Sequence, residues 1–128
     1  MKKSYQGWLD FANRDLLAAK ELVKNEYLAN IVMFHCQQCI EKSIKGLLEF
    51  YNITPPKIHG IGKLFSLIPD DIKEKILISE DEINLIDDIY IDMRYPGNFG
   101  LLPTGFPSKK QAEKLLESQK MFIIQYQI

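Results

Sequence analysis

Apolar residues recur at steps of three and four along most of this chain, the spacing that gathers them on one face of an α-helix at roughly 100° per residue. Leu9, Ala12, Leu16, Ala19 and Val23 form the first run, broadened by Trp8 and Leu22, and predict a helix over residues 4–25. The connection at Glu26 is so short that the second helix, expected from about Tyr27 to Tyr51, must return antiparallel to the first. Asn52-Ile53-Thr54-Pro55-Pro56 should stop it, because the paired prolines remove donors and push the preceding residue out of helical space. After a loop to about Gly60, a short helix is expected over Ile61 to Leu67, then a turn capped by Asp70 that reaches about Leu77. Ser79 with Glu82 three residues on makes a capping box, opening a helix with Ile83, Ile86, Tyr90 and Met93 on one face and ended by Pro96. Residues 95–107 mix Pro96, Pro103, Pro107, Gly97, Gly100 and Gly105 with the apolar anchors Tyr95, Phe99 and Phe106, a loop long enough to suggest function or an interface. Ser108 and Gln111 form a second capping box, and the last helix is expected to bury Ala112, Leu115, Phe122 and Tyr126. No strand alternation, repeat or low-complexity tract occurs. The expectation is all-α: an up-and-down bundle of four long helices with short helical turns, one domain over residues 1–128.

The second helix is unusual. Met33, Ile40, Ile44, Leu47 and Tyr51 form one apolar stripe, and Val32, Cys39, Ser43, Gly46 and Phe50 form another beside it. Together they cover about half the cylinder, more than the single stripe of an ordinary surface helix. Such a helix belongs at the centre of a bundle. Gln37, Gln38, Glu41, Lys42 and Lys45 are squeezed into the remaining sector, with Glu41 and Lys45 in the favourable i, i+4 order. On periodicity alone this strip reads as a solvated back face carrying an ion pair.

The order of these pieces is also familiar. Ala12-Asn13-Arg14-Asp15-Leu16-Leu17-Ala18-Ala19, the polar strip, Lys57-Ile58-His59 in a loop, Met93-Arg94-Tyr95-Pro96 at the end of an acidic helix and Gly105-Phe106-Pro107-Ser108 before the last helix together resemble the HEPN family. HEPN domains are small all-helical proteins of prokaryotes and higher eukaryotes. The resemblance spans nearly the whole chain. It implies a protein that binds a nucleotide or RNA-like anion, forms a homodimer, and partners a nucleotidyltransferase in a two-gene or toxin–antitoxin type system. Arg94, Tyr95, Gln38, Glu41, Lys45 and His59 are the ligand-binding candidates it suggests.

Composition narrows the classes without choosing one. With 128 residues, 46% hydrophobic and 26% charged, the chain is large enough for a core without a metal or disulfide staple. Met1-Lys2-Lys3 is followed by Ser4-Tyr5-Gln6-Gly7 rather than an apolar run, and no window suits a bilayer span, so no membrane association and a cytoplasmic location are expected. A formal net charge of −1 means that any contact with nucleic acid must be local. Lys42, Lys45, Lys57 and Lys63 fall near the second helix and its following loop, whereas Glu80, Asp81, Glu82, Asp87, Asp88 and Asp92 crowd the later helix. Cys36 and Cys39 lie mid-helix among apolar neighbours, unlike redox pairs at a helix start, and read as small core residues. No metal site and no cofactor are expected. Gly60-Ile61-Gly62-Lys63 follows no strand and is no phosphate cradle.

Arg94 sits beside Ile83 and Tyr90 at the edge of its helix's apolar face. An always-charged group there needs acceptors, either an anionic ligand or an internal partner such as Glu41 or carbonyls of residues 97–103. Ribonucleases of the HEPN family carry an arginine followed, after four to six residues, by a histidine, and two copies build one metal-independent site. Arg94 matches the arginine. The histidine would fall at Phe99, Gly100 or Leu101, and none occurs after His59. The chain thus resembles an arginine-tyrosine-proline branch lacking the motif's proton carrier. A weak ribonuclease would need His59 to fold back over Arg94; otherwise His59 reads as a loop histidine capping a nearby helix, and His35 as a packed, hydrogen-bonded one. A different class of reading also fits: a structural or antitoxin-like dimerisation module whose polar strip is an ion-paired seam without ligand.

Overall fold

The computed structural model describes the backbone of residues 2–76, 78–94 and 108–117, with side chains throughout these ranges except at 2–4 and 89–94. It is helical, with no strand among the described residues. Helix α1 spans Lys2–Leu22. A single 3-10 turn, Glu26–Leu28, follows and is capped by Asn25, whose Oδ1 accepts from Tyr27 N at 3.0 Å. Helix α2 then runs Ala29–Phe50, α3 Ile61–Ser66, α4 Asp70–Lys73 and α5 Glu80–Arg94. A last helix, α6, is described over 109–117.

The α1–α2 hairpin is antiparallel, because residues rising along α1 meet residues falling along α2. The Tyr5 and Phe50 rings meet edge to face at 4.9 Å, Trp8 lies against Gly46, and Asp15 bonds His35 and Lys42. At Gly46 the helices touch closely: an added Cβ would stand 3.0 Å from Trp8 Cβ.

Helix α2 is the central element that its two apolar stripes predict. Val32, Met33, Cys36, Cys39, Ile40, Ile44 and Leu48 are essentially inaccessible, and α1, α3 and α5 all pack on this helix. Ala12, Leu16 and Ala19 supply the α1 face, Ile61 and Leu64 that of α3, Ile83 and Ile86 that of α5, and Ala112, Leu115 and Leu116 that of α6. The two ends of the stripes are less covered than the pattern suggests, with Phe50 half-buried and Tyr51 exposed.

Several terminations differ from expectation. Asn52, not the proline pair, closes α2: at φ 61° it adopts the left-handed conformation, Asn52 N donates to Glu49 O and Ile53 N to Leu48 O. This is a Schellman closure with Asn in the position glycine usually takes, and Ile53 folds onto the core beyond it. Asp70 is the first residue of α4 rather than its cap; Pro69 precedes it and no side chain bonds the exposed N–H groups. Helix α4 ends at Lys73, and Leu77 lies outside the described residues. Both capping boxes form, with reciprocal bonds of 3.1 Å between Ser79 and Glu82, and of 2.8 and 3.1 Å between Ser108 and Gln111. The 95–107 loop, and Phe122 and Tyr126, fall outside the described residues.

Candidate functional site

Three of the five residues of the polar strip of α2 are closed off from water, and Gln38 and Lys42 are only partly exposed. Gln37 is fully inaccessible, and Glu41 and Lys45 are 4% and 7% exposed. The expectation of a solvated back face is therefore overturned for Gln37, Glu41 and Lys45, although its ion pair is present. Lys45 Nζ lies 3.2 Å from Glu41 Oε2, one turn apart on the helix. Periodicity misjudged the strip because it assumes a polar sector has no tertiary cover. Here the chain beyond α2 returns across it, bringing His59 Nδ1 to 3.3 Å from the same Glu41 oxygen.

His59 is held at the surface end of this cluster, with 61% of its side chain exposed above a carboxylate that is 5% exposed. Its loop is anchored from the other side as well. Asp87 of α5 accepts from the first amides of α3, Ile61 N at 2.6 Å and Gly62 N at 3.1 Å. A carboxylate at that end satisfies donors with no intrahelical partner, so the start of α3 is occupied by the protein's own anion. Glu41 on α2 and Asp87 on α5 thus bracket His59 within three residues of chain. Gly60 gives the start of α3 no side-chain cap and Asp87 takes its amides, so His59 does not cap the helix that follows it.

Two polar atoms inside the strip have no hydrogen-bond partner among the described residues: Gln37 Nε2 and Glu41 Oε1. Leaving a buried donor or acceptor unmatched costs about 1–3 kcal/mol. The other atoms of both side chains are engaged. Gln38 Nε2 donates to Gln37 Oε1 at 2.7 Å, and Glu41 Oε2 meets Lys45 and His59.

A second cluster ties α1 to α2. Asp15, buried, places one oxygen 2.8 Å from His35 Nδ1 and the other 2.7 Å from Lys42 Nζ. Beside it, the half-exposed Phe11 ring has Arg14 at 5.6 Å and Lys42 at 5.9 Å, and Lys45 lies 5.5 Å from the Trp8 ring. His35 is packed and bonded, as expected. Asp15 was present in the sequence only as part of the first-helix signature; the polar residue on α1's otherwise apolar 8-12-16-19 face was the signal for it.

The structure thus brings Glu41, Lys45 and His59 together, while Gln38 bonds Gln37, a residue one helical turn before Glu41 that the sequence places in the strip but not among the binding candidates. Arg94 is the last residue of α5, the helix packed on α2; its side chain and Tyr95 lie outside what is described. Cys36 and Cys39 are free, buried thiols. Burial, reinforced by the negative charge of Asp15, pushes Cys36 up to about 12, and burial raises Cys39 further. Both shifts run opposite to the lowered pKa of a reactive redox cysteine. Among the described residues, no group of three or more His, Cys, Asp or Glu side chains could hold a metal ion, and no helix is long and apolar enough to cross a membrane.

Comparison with known proteins places this architecture. A relative named as a candidate toxin, MJ1304 of Methanocaldococcus jannaschii, is 32% identical over 115 residues, covering 83% of this chain and 74% of its own. Among solved structures, TT1696 from Thermus thermophilus superposes with a TM-score of 0.76 at 22% identity, over 99% of this chain and 98% of that one. ST0689, described as an archaeal HEPN homologue, gives 0.69 at 25% identity, over 96% and 94%. The family model described as the HEPN domain matches residues 5–125, nearly the whole of the sequence, and this chain belongs to the HEPN domain family.

Proposed function

We propose that this protein is a toxin-like HEPN member of a two-gene system that binds a nucleotide or RNA-like anion over the α2 strip and works with a nucleotidyltransferase partner. The observation that carries the reading is the cluster of Glu41, Lys45 and His59. A lysine has three donors, and Lys45 shares with His59 a single carboxylate oxygen. Donors of this kind, held in place before a ligand arrives, suit a phosphate oxygen. Arg94, on the helix packed against α2, is proposed to add a planar fork, and Tyr95 and Gln38 to flank it. The relative described as a candidate toxin supports the toxin-like role. A homodimer is part of the proposal, since a two-fold pair is the commonest closed assembly.

Purification with and without the product of the adjacent gene tests this, with any co-purifying nucleotide or RNA identified by mass spectrometry. A nucleotidyltransferase that co-purifies, together with bound nucleotide or RNA, is the expected result. A ligand-free protein with no partner would favour the dimerisation-module reading.

One observation favours a second reading. An exposed imidazole oriented by a buried carboxylate is an arrangement suited to proton transfer, so His59 could serve a metal-independent ribonuclease even though no histidine follows Arg94. The expected result with isolated protein and single-stranded RNA is no cleavage above buffer. Cleavage that His59→Ala abolishes in a folded protein would establish the second reading instead.

A further inference from the structure

We propose that Gln37 and Glu41 read the edge of a nucleobase, an inference that rests on the nucleotide reading of the same site. The two residues are one helical turn apart, so they share a face of α2 with Cβ atoms about 6 Å apart. Each keeps one buried atom without a partner, and the two are of opposite kind. Gln37 offers an N–H donor and Glu41 an acceptor oxygen. Two unmatched donors would suit a phosphate, and two acceptors an ammonium group. One donor beside one acceptor suits a group that presents the same pair in reverse.

Nucleobases do so on their pairing edges: adenine with N6–H beside N1, cytosine with N4–H beside N3, guanine with N1–H beside O6, uracil with N3–H beside O4. Recognition of an unpaired base commonly uses these edges.

Both side chains are already oriented for it. Gln38 Nε2 donates to Gln37 Oε1 at 2.7 Å, which turns the Gln37 amide so that its N–H groups are the ones left to offer. Lys45 and His59 hold Glu41 by Oε2, which leaves Oε1. The arrangement also has a polarity. The cationic donor Lys45 and the exposed His59 suit the phosphate, while the negative charge of the Glu41 carboxylate disfavours phosphate beside it and leaves that position to a base. Entry of a base requires the cover of the strip to open, since Gln37 is fully inaccessible and Glu41 nearly so.

Calorimetric titration with AMP, GMP, CMP, UMP and ribose 5-phosphate tests the inference on the wild type and on Gln37→Met, which keeps the side chain's length without its donor. At least one nucleoside monophosphate should bind about tenfold or more tightly than ribose 5-phosphate, a difference well within reach of titration. Gln37→Met should erase that margin and leave the affinity for ribose 5-phosphate unchanged. Equal affinities for all five ligands in the wild type would overturn base reading and leave phosphate binding standing, as expected if a buried water links the two atoms. A margin that survives Gln37→Met would overturn it too, whereas no binding of any of the five would remove the nucleotide reading along with it. Should Gln37→Met fail to fold, the wild-type margin still decides.

Discussion

The Glu41–Lys45 pair is the most consequential single interaction, because both side chains are less than a tenth exposed. Removing one member of a buried pair strands the other's charge, a loss of about 3–5 kcal/mol, while replacing both by apolar groups of similar volume is often neutral. Lys45→Met should therefore lower the urea midpoint sharply, and Glu41→Leu with Lys45→Met should recover most of the loss. Midpoints that fall equally in the single and double variants would show that the pair's packing matters more than its charge. Cys36 makes a prediction of opposite character. Its folded pKa, raised by burial from 9.0 to about 12, exceeds its unfolded value, so folding holds the thiol proton more tightly. That contribution to stability is complete below about pH 9 and is lost as the pH climbs toward 12. At pH 8 iodoacetamide should leave Cys36 unmodified in the native protein and alkylate it in urea, as mass spectrometry would detect. Rapid native labelling would mean that α2 opens locally.

At the scale of elements, two approaches set the geometry around the site. Gly46 lets α1 and α2 come together, and Gly46→Ala would press a methyl against Trp8 Cβ at 3.0 Å, where neither helix can move without shifting the hairpin. Overpacking of this kind costs about 1–3 kcal/mol, and a thermal melt should show the loss. Asp87 is the corresponding tie between α5 and α3. In Asp87→Ala the Ile61 and Gly62 amides lose their acceptor, so hydrogen exchange at those two amides should rise well above that of α2 while the bundle stays folded. Unchanged exchange there would mean that the loop is positioned by its apolar contacts alone. Because His59 is two residues before Ile61, the same variant should also loosen the imidazole from Glu41.

For the whole molecule the deciding variant is Arg94→Ala. If Arg94 grips a ligand phosphate, the substitution weakens nucleotide or RNA binding with little change in melting temperature. If it neutralises an internal acid, stability falls by about 3–5 kcal/mol instead. Arg94→Lys separates charge from the planar fork, and only a ligand or carboxylate gripped by two bonds should distinguish it from wild type. The sequence by itself determined the helices, the antiparallel hairpin, the two capping boxes and the central place of α2, since these follow from spacing and from local donors and acceptors. His35 and the cysteines were legible for the same reason: their helical neighbours already placed them against the core. What only the tertiary structure decided is the fate of the polar strip. A helical wheel places Gln37, Glu41 and Lys45 on one sector, but whether that sector meets water depends on residues far along the chain, and His59 arrives there 18 positions after Glu41. Asp15 was equally opaque, because its partners lie 20 and 27 positions away on another helix. Local periodicity assigns faces, and packing decides which of them are buried, as the burial of Gln37 and Glu41 shows.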